Sequence, residues 1–151
     1  LGIITMLMII VVSDLTYLII PDEVLIFFSI YFIIIEFLKA GLKGTITHIA
    51  TGLLLFTIMY SVMLIGNKVL KKESLGGGDI KMMFLFGLVL DPLLGTLTIF
   101  LGSLFALPMS LYLMKKNNEK VIPFGPFLLL AFAFIYFTKL TTPTIMSWLG
   151  F

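Results

Sequence analysis

The chain has 151 residues, 60% of them hydrophobic and 12% charged, with a formal net charge of +2 and a mean hydropathy of +1.20. A soluble domain of this length carries roughly twice that charged fraction, so composition alone indicates an integral membrane protein, with too little polar surface to cover a water-facing globule. With no cysteine, one histidine (His48) and ten scattered lysines without arginine, a disulfide framework, a thiolate nucleophile, a His-based metal site, a Ser-His-Asp triad and a nucleic-acid footprint are all excluded or disfavoured.

Six apolar segments follow in chain order. The first runs from Leu1 to about Ile20 and is broken by Pro21. Because it starts inside an apolar run with no basic flank or cleavage site, it does not read as a signal peptide, and residues upstream of Leu1 are expected. Segment two spans roughly Asp22 to Leu38 and is ended by Ala40-Gly41 between Lys39 and Lys43. Segment three runs from about Thr45 to Ile65, where Gly66-Asn67 should stop it. A polar loop follows to Gly78. Segment four, Asp79 to Leu90, is closed by Asp91-Pro92. Segment five covers Leu93 to Met114, and segment six runs from Pro123 to about Tyr136, leaving a short tail with Trp148.

None of these segments alternates like a strand, and helices satisfy their own backbone in lipid. The expected fold is therefore all-α and polytopic: a bundle of about six transmembrane helices forming one membrane domain over residues 1–151. Segment four is the exception, since its length gives only ~18 Å of helix at ~1.5 Å per residue. Alternating crossings put the loops near 20–22, 67–78 and 115–122 on one side. That side and its helix entrances hold Lys68, Lys71, Lys72, Lys81, Lys115, Lys116 and Lys120, against Lys39, Lys43 and Lys139 on the other. The excess points to a cytoplasmic location for the first side.

This topology brings two acids to similar shallow depth on the same side. Asp14 lies shortly before the exit at Pro21, and Asp79 begins segment four from that side. Ionisable groups at membrane depth are expensive and suggest function. Two close carboxyl groups share a proton, so the ionised one can take a proton from water while the protonated one polarises an amide carbonyl. Each acid also has a plain structural reading. Asp79 suits the N-cap of segment four, and Asp14 could hydrogen-bond a neighbouring helix. Asp22 suits an N-cap or a first-turn charge, Lys81 a snorkelling anchor and His48 an interfacial position. Glu36 and Asp91 fall toward the opposite side.

Three stretches, SDLTYLIIPDEV (13–24), LGGGDIKMM (75–83) and IPFGPFLLL (122–130), together resemble the type IV prepilin peptidases, membrane aspartic proteases with a GxGD motif. The spacing from Asp14 to Pro21-Asp22 matches that family, Gly76-Gly77-Gly78-Asp79 supplies the GxGD element with Lys81 after it, and Glu73 stands where an acid often precedes the glycines. Pro123 to Pro126 supplies a Pro-Phe-Gly-Pro element. The resemblance implies that Asp14 and Asp79 are the catalytic pair, with Gly76, Gly77, Gly78 and Lys81 as a supporting loop. Asp22, Glu73, Pro123, Gly125 and Pro126 would give structural or substrate support.

It further implies removal of the short basic leader of prepilins or pseudopilins, cut after a glycine at the cytoplasmic membrane face of a bacterium, in a type IV pilus, type II secretion or competence system. The expected partners are those substrates and the lipid bilayer, with no nucleic acid. Neither metal nor cofactor is expected for cleavage; S-adenosylmethionine would enter only with a methylase activity. Thr16 replaces a second acid usual in the family, and the paired CxxC elements of many bacterial members are absent. Methylation is therefore not assigned. Alternatives are an archaeal preflagellin peptidase, a presenilin-like protease (although Ala106-Leu107-Pro108 reverses the Pro-Ala-Leu order), or a small proton-coupled transporter or scaffold.

Overall fold

The computed structural model describes residues 2–17, 20–70, 76–115, 124–148 and 150. Within them lie six helices and no strand: α1 (Gly2–Tyr17), α2 (Asp22–Leu70), α3 (Gly77–Gly87), α4 (Pro92–Lys115), α5 (Gly125–Phe137) and α6 (Thr142–Trp148). Glu73 and Pro123, both site candidates from the sequence, lie outside the described residues.

Segments two and three emerge as one helical element with a single break. Gly41, at φ 66° and ψ −167°, is the one non-helical residue inside α2, a combination that only glycine adopts cheaply. The break folds the helix back on itself. His48 Nε2 lies 3.4 Å from Glu36 Oε1, whereas twelve residues of straight helix would separate them by ~18 Å along the axis. α2 is thus a hairpin with arms 22–40 and 42–70, of ~28 Å and ~43 Å at ~1.5 Å per residue. The second arm continues past Gly66-Asn67, which the sequence reading took as its stop. Tyr60, Val62, Leu64 and Ile65 just upstream face outward, and in lipid the backbone has only its own helix to bond with, which outweighs the weak helix preference of those two residues. His48, expected at an interface, lies within reach of Glu36 near the turn of the hairpin.

Short α3 occupies the middle, with seven of its eleven residues buried, among them Ile80, Met82, Met83, Leu85 and Phe86. On one side Phe86 stacks on Phe132 of α5 at 4.2 Å between ring centroids. On the other, α3 meets the second arm of α2 so closely that a Cβ on Gly87 would lie 2.5 Å from Gly52 Cα. The core is completed by Met6 and Ile10 from α1, Phe28 and Phe32 from the first arm of α2, and Leu55 and Met59 from the second. Helix α4 packs on α5, where Gly102 faces Leu128.

The helices run alternately between two ends. Gly2, Lys39, Leu88 and Tyr136 line one cavity of about 280 Å³, and Thr142 Oγ1 donates to Asp91 Oδ2 at 3.0 Å, so these residues mark one end. Asp14, Ile20, Asp79 and Gly125 gather at the other. Around the outside, large apolar side chains face outward: Phe27, Ile34 and Leu38 on α2, Phe100 and Leu104 on α4, Leu130 and Phe134 on α5. Water-soluble monomers rarely expose contiguous patches of this kind.

Ser29, Thr51, Thr57, Ser61, Thr98 and Ser103 each donate to the carbonyl four residues earlier, as hydroxyls do where no water is at hand. Among the described residues two helices are long and apolar enough to cross a bilayer, Asp22–Lys68 and Pro92–Met109; Gly2–Asp14 and Gly125–Phe137 are shorter apolar helices. The described elements are thus all helical, with the outward apolar belt of a membrane protein.

Candidate active site

Asp14 sits one turn before the carboxyl end of α1, and Asp79 in the first turn of α3. Each is only 6% exposed, although carboxylates are almost never fully buried unless paired. Both groups converge on Gly125, the first residue of α5. A Cβ placed on Gly125 would press on Asp14 Oδ2 and lie 3.1 Å from Asp14 Cγ and 3.0 Å from Asp79 Oδ1. Three elements distant in sequence thus put two carboxyl groups against one point, near enough for the charge on Asp14 to act on Asp79.

The local sequence explains how α3 presents Asp79. The cap position falls on Gly76, with φ −69° and ψ 141° and no side-chain cap, so Asp79 is not the N-cap that its residue type suggested. It is the third helical residue instead. Its backbone N–H donates to Gly76 O at 3.2 Å, and its carboxylate accepts a hydrogen bond from the Gly76 backbone. That is the reciprocal half of a capping box. Asp79 therefore closes its own helix with one part of the carboxylate and faces Asp14 with the other. Asp14 has no such support: its Oδ2 is buried without a hydrogen-bond partner among the described residues.

The three consecutive glycines serve different ends. None takes the left-handed φ that glycine uniquely favours; among the described glycines only Gly41 and Gly150 do. Gly78 is needed for space, since a Cβ there would come within 2.9 Å of the Ile20 side chain. Ile20 is buried and stands just before Pro21 and the start of α2, so this contact seats α3 against the chain that follows Asp14. Gly77 faces open space.

Lys81, expected to snorkel or support the loop, reaches Asp22 at 2.7 Å from both carboxylate oxygens. The pair ties α3 to the start of α2. Both side chains are about half exposed, at 49% and 57%. Beside the end of α1 an open hollow of about 560 Å³ is lined by Ser13, Tyr17, Ile20, Pro21, Asp22 and Glu23.

The structure therefore brings together Asp14, Asp79, Gly76, Gly78 and Gly125, sets Asp22 and Lys81 as a flanking ion pair, and places Pro126 in the first turn of α5. Sequence reasoning undervalued two residues. Gly125 was readable only as part of a proline-flanked element, and Ile20 carried no signal beyond its place before Pro21. Chemically, two buried carboxyl groups facing one gap can hold a single proton between them and act as a general acid and a general base on one water.

A protein-family model described as the Type IV leader peptidase family matches residues 1–111. No curated protein and no solved structure matches the chain.

Proposed function

Since the chain belongs to the type IV leader peptidase family, we propose that it is a membrane aspartic endopeptidase with Asp14 and Asp79 as its catalytic pair. The observation that carries this reading is the meeting of the two buried carboxyl groups at Gly125. One carboxylate removes a proton from a water held between the two groups, and the protonated partner donates to the scissile carbonyl. Attack by the water oxygen gives a tetrahedral diol. Transfer of a proton to the amide nitrogen then lets the C–N bond break.

The substrate is a prepilin or pseudopilin, whose basic leader is cut away after a glycine. The open hollow lined by Ser13, Tyr17 and Glu23 offers room for an extended chain beside Asp14. The excess of lysine on the Asp14–Asp79 side supports a cytoplasmic active site in a cytoplasmic membrane. Cleavage needs no cofactor in this scheme, and the partners are the prepilin and the surrounding lipid.

The test is cleavage of a prepilin-like peptide, with a basic leader and an apolar helix, by the protein in detergent micelles. Wild type should release the leader, while Asp14→Asn and Asp79→Asn should be folded and inactive. Normal cutting by either variant would remove that carboxylate from the mechanism. Transport of a solute in vesicles without any cutting would favour a proton-coupled transporter.

A further inference from the structure

Gly125 lies beyond the residues that match the family model, yet it is the backbone on which both acids close. It is buried at the start of α5, and its φ is not among the positive ones, so conformational freedom does not account for a glycine there. Space does. A Cβ would press on Asp14 Oδ2 and lie 3.0 Å from Asp79 Oδ1, where contacts of 3.4 Å or more are ordinary.

The charge at this place points the same way. A pair of carboxyl groups holding one proton carries one net negative charge, which is costly to keep away from water. Two helix amino ends converge on it, those of α3 and α5, and each helix carries about half a positive charge at that end. Asp14 Oδ2, 94% buried by residue and unpartnered among the described residues, is the atom pressed nearest the amino end of α5.

Resting on the aspartic-protease reading above, we propose that Gly125 is a positioning residue of the active site. Its bare backbone lets Asp14 and Asp79 close on the same point, and the amino end of α5 that it exposes steadies the charge of the pair.

The experiment is Gly125→Ala, assayed for kcat and KM on the prepilin-like peptide in the wild-type background, and for thermal unfolding in both the wild-type and Asp14→Ala backgrounds. With the carboxyl groups pushed apart, kcat should fall on the order of 100-fold while KM changes less than about threefold, because the leader is bound elsewhere. The alanine should lower the unfolding temperature in wild type and much less in Asp14→Ala, where the group it strikes is gone. This second readout holds even if Gly125→Ala alone is too unstable to assay. A wild-type kcat, or an equal loss of stability in both backgrounds, overturns the proposal. The two readings fail separately: an active Asp14→Asn sinks the catalytic pair, whereas an active Gly125→Ala beside inactive aspartate variants sinks only the positioning role.

Discussion

Asp14 and Asp79 have the same exposure and different surroundings, and that difference has measurable consequences. Asp79 is anchored through the Gly76 backbone, whereas Asp14 leaves an oxygen without a partner among the described residues. Buried polar atoms without partners cost roughly 1–3 kcal/mol, and like charges add to that cost. Asp14→Asn should therefore be inactive but more stable, with a thermal midpoint a few degrees above wild type. An unchanged or lower midpoint would mean that Asp14 finds a partner in the membrane. The shared proton also shapes the pH response. A pair with both protons lacks a base and a pair with none lacks an acid, so cleavage should rise and then fall with pH. A rate that only climbs toward alkaline pH would point to a different general base. The residue type of Asp79 spoke for a cap, and the chain chose Gly76, because only then can the carboxylate reach back to its helix and forward to Asp14.

At the scale of the elements, three features shape the bundle around the site and differ in kind. Gly41 turns α2 back with φ 66° while its Cβ direction is open, so the cost of Gly41→Ala is backbone strain alone, about 1–3 kcal/mol. Gly87 faces the opposite constraint, an ordinary backbone with Gly52 Cα in the way. Gly87→Ala should cost about 1–3 kcal/mol through overpacking and also reduce cleavage, because it displaces the helix that carries Asp79. Gly41→Ala should spare kcat more, being at the far end. Comparing thermal unfolding and cleavage in the two variants checks this; equal losses of activity would show that α3 is not the sensitive element. The Asp22–Lys81 pair is short but half exposed, and such pairs are worth about 0–1 kcal/mol. Lys81→Met should barely shift the unfolding temperature, and the small shift should shrink further at high salt.

For the whole molecule, the outward apolar belt and the alternation of helix ends make a topological prediction. These 151 residues contain no cysteine, so a single cysteine introduced into them is a unique label within them. In oriented cells or vesicles, Lys68→Cys should react with a membrane-impermeant thiol reagent from the cytoplasmic side, and Lys43→Cys from the opposite side. Phe27→Cys and Phe100→Cys, at belt positions that are 63% and 62% exposed, should resist both. Labelling of Lys68→Cys and Lys43→Cys from the same side would mean that the second arm of α2 does not cross the membrane, and labelling from exchanged sides would reverse the orientation. The core itself is narrow and centred on α3, so the stability of the site and of the fold rest on largely the same side chains.

Hydrophobicity by itself determined the solvent of this protein: a chain this apolar must face lipid, and there its continuous apolar runs, which do not alternate as strands do, satisfy their backbone as helices. The approximate limits of the helices, the turn at Gly41, the opposite placement of Glu36 and Asp91, and the candidacy of Asp14 and Asp79 were likewise legible, because apolar runs, breakers and misplaced charges are local signals. What only the tertiary structure decided was contact across elements. No spacing reveals that Gly125 stands between the two acids, that Gly78 makes room for Ile20, that Lys81 meets Asp22, or that His48 folds back onto Glu36. Those choices depend on which backbones approach within a side chain's width, and that distance is set by the packing of α3 among its neighbours rather than by any one segment.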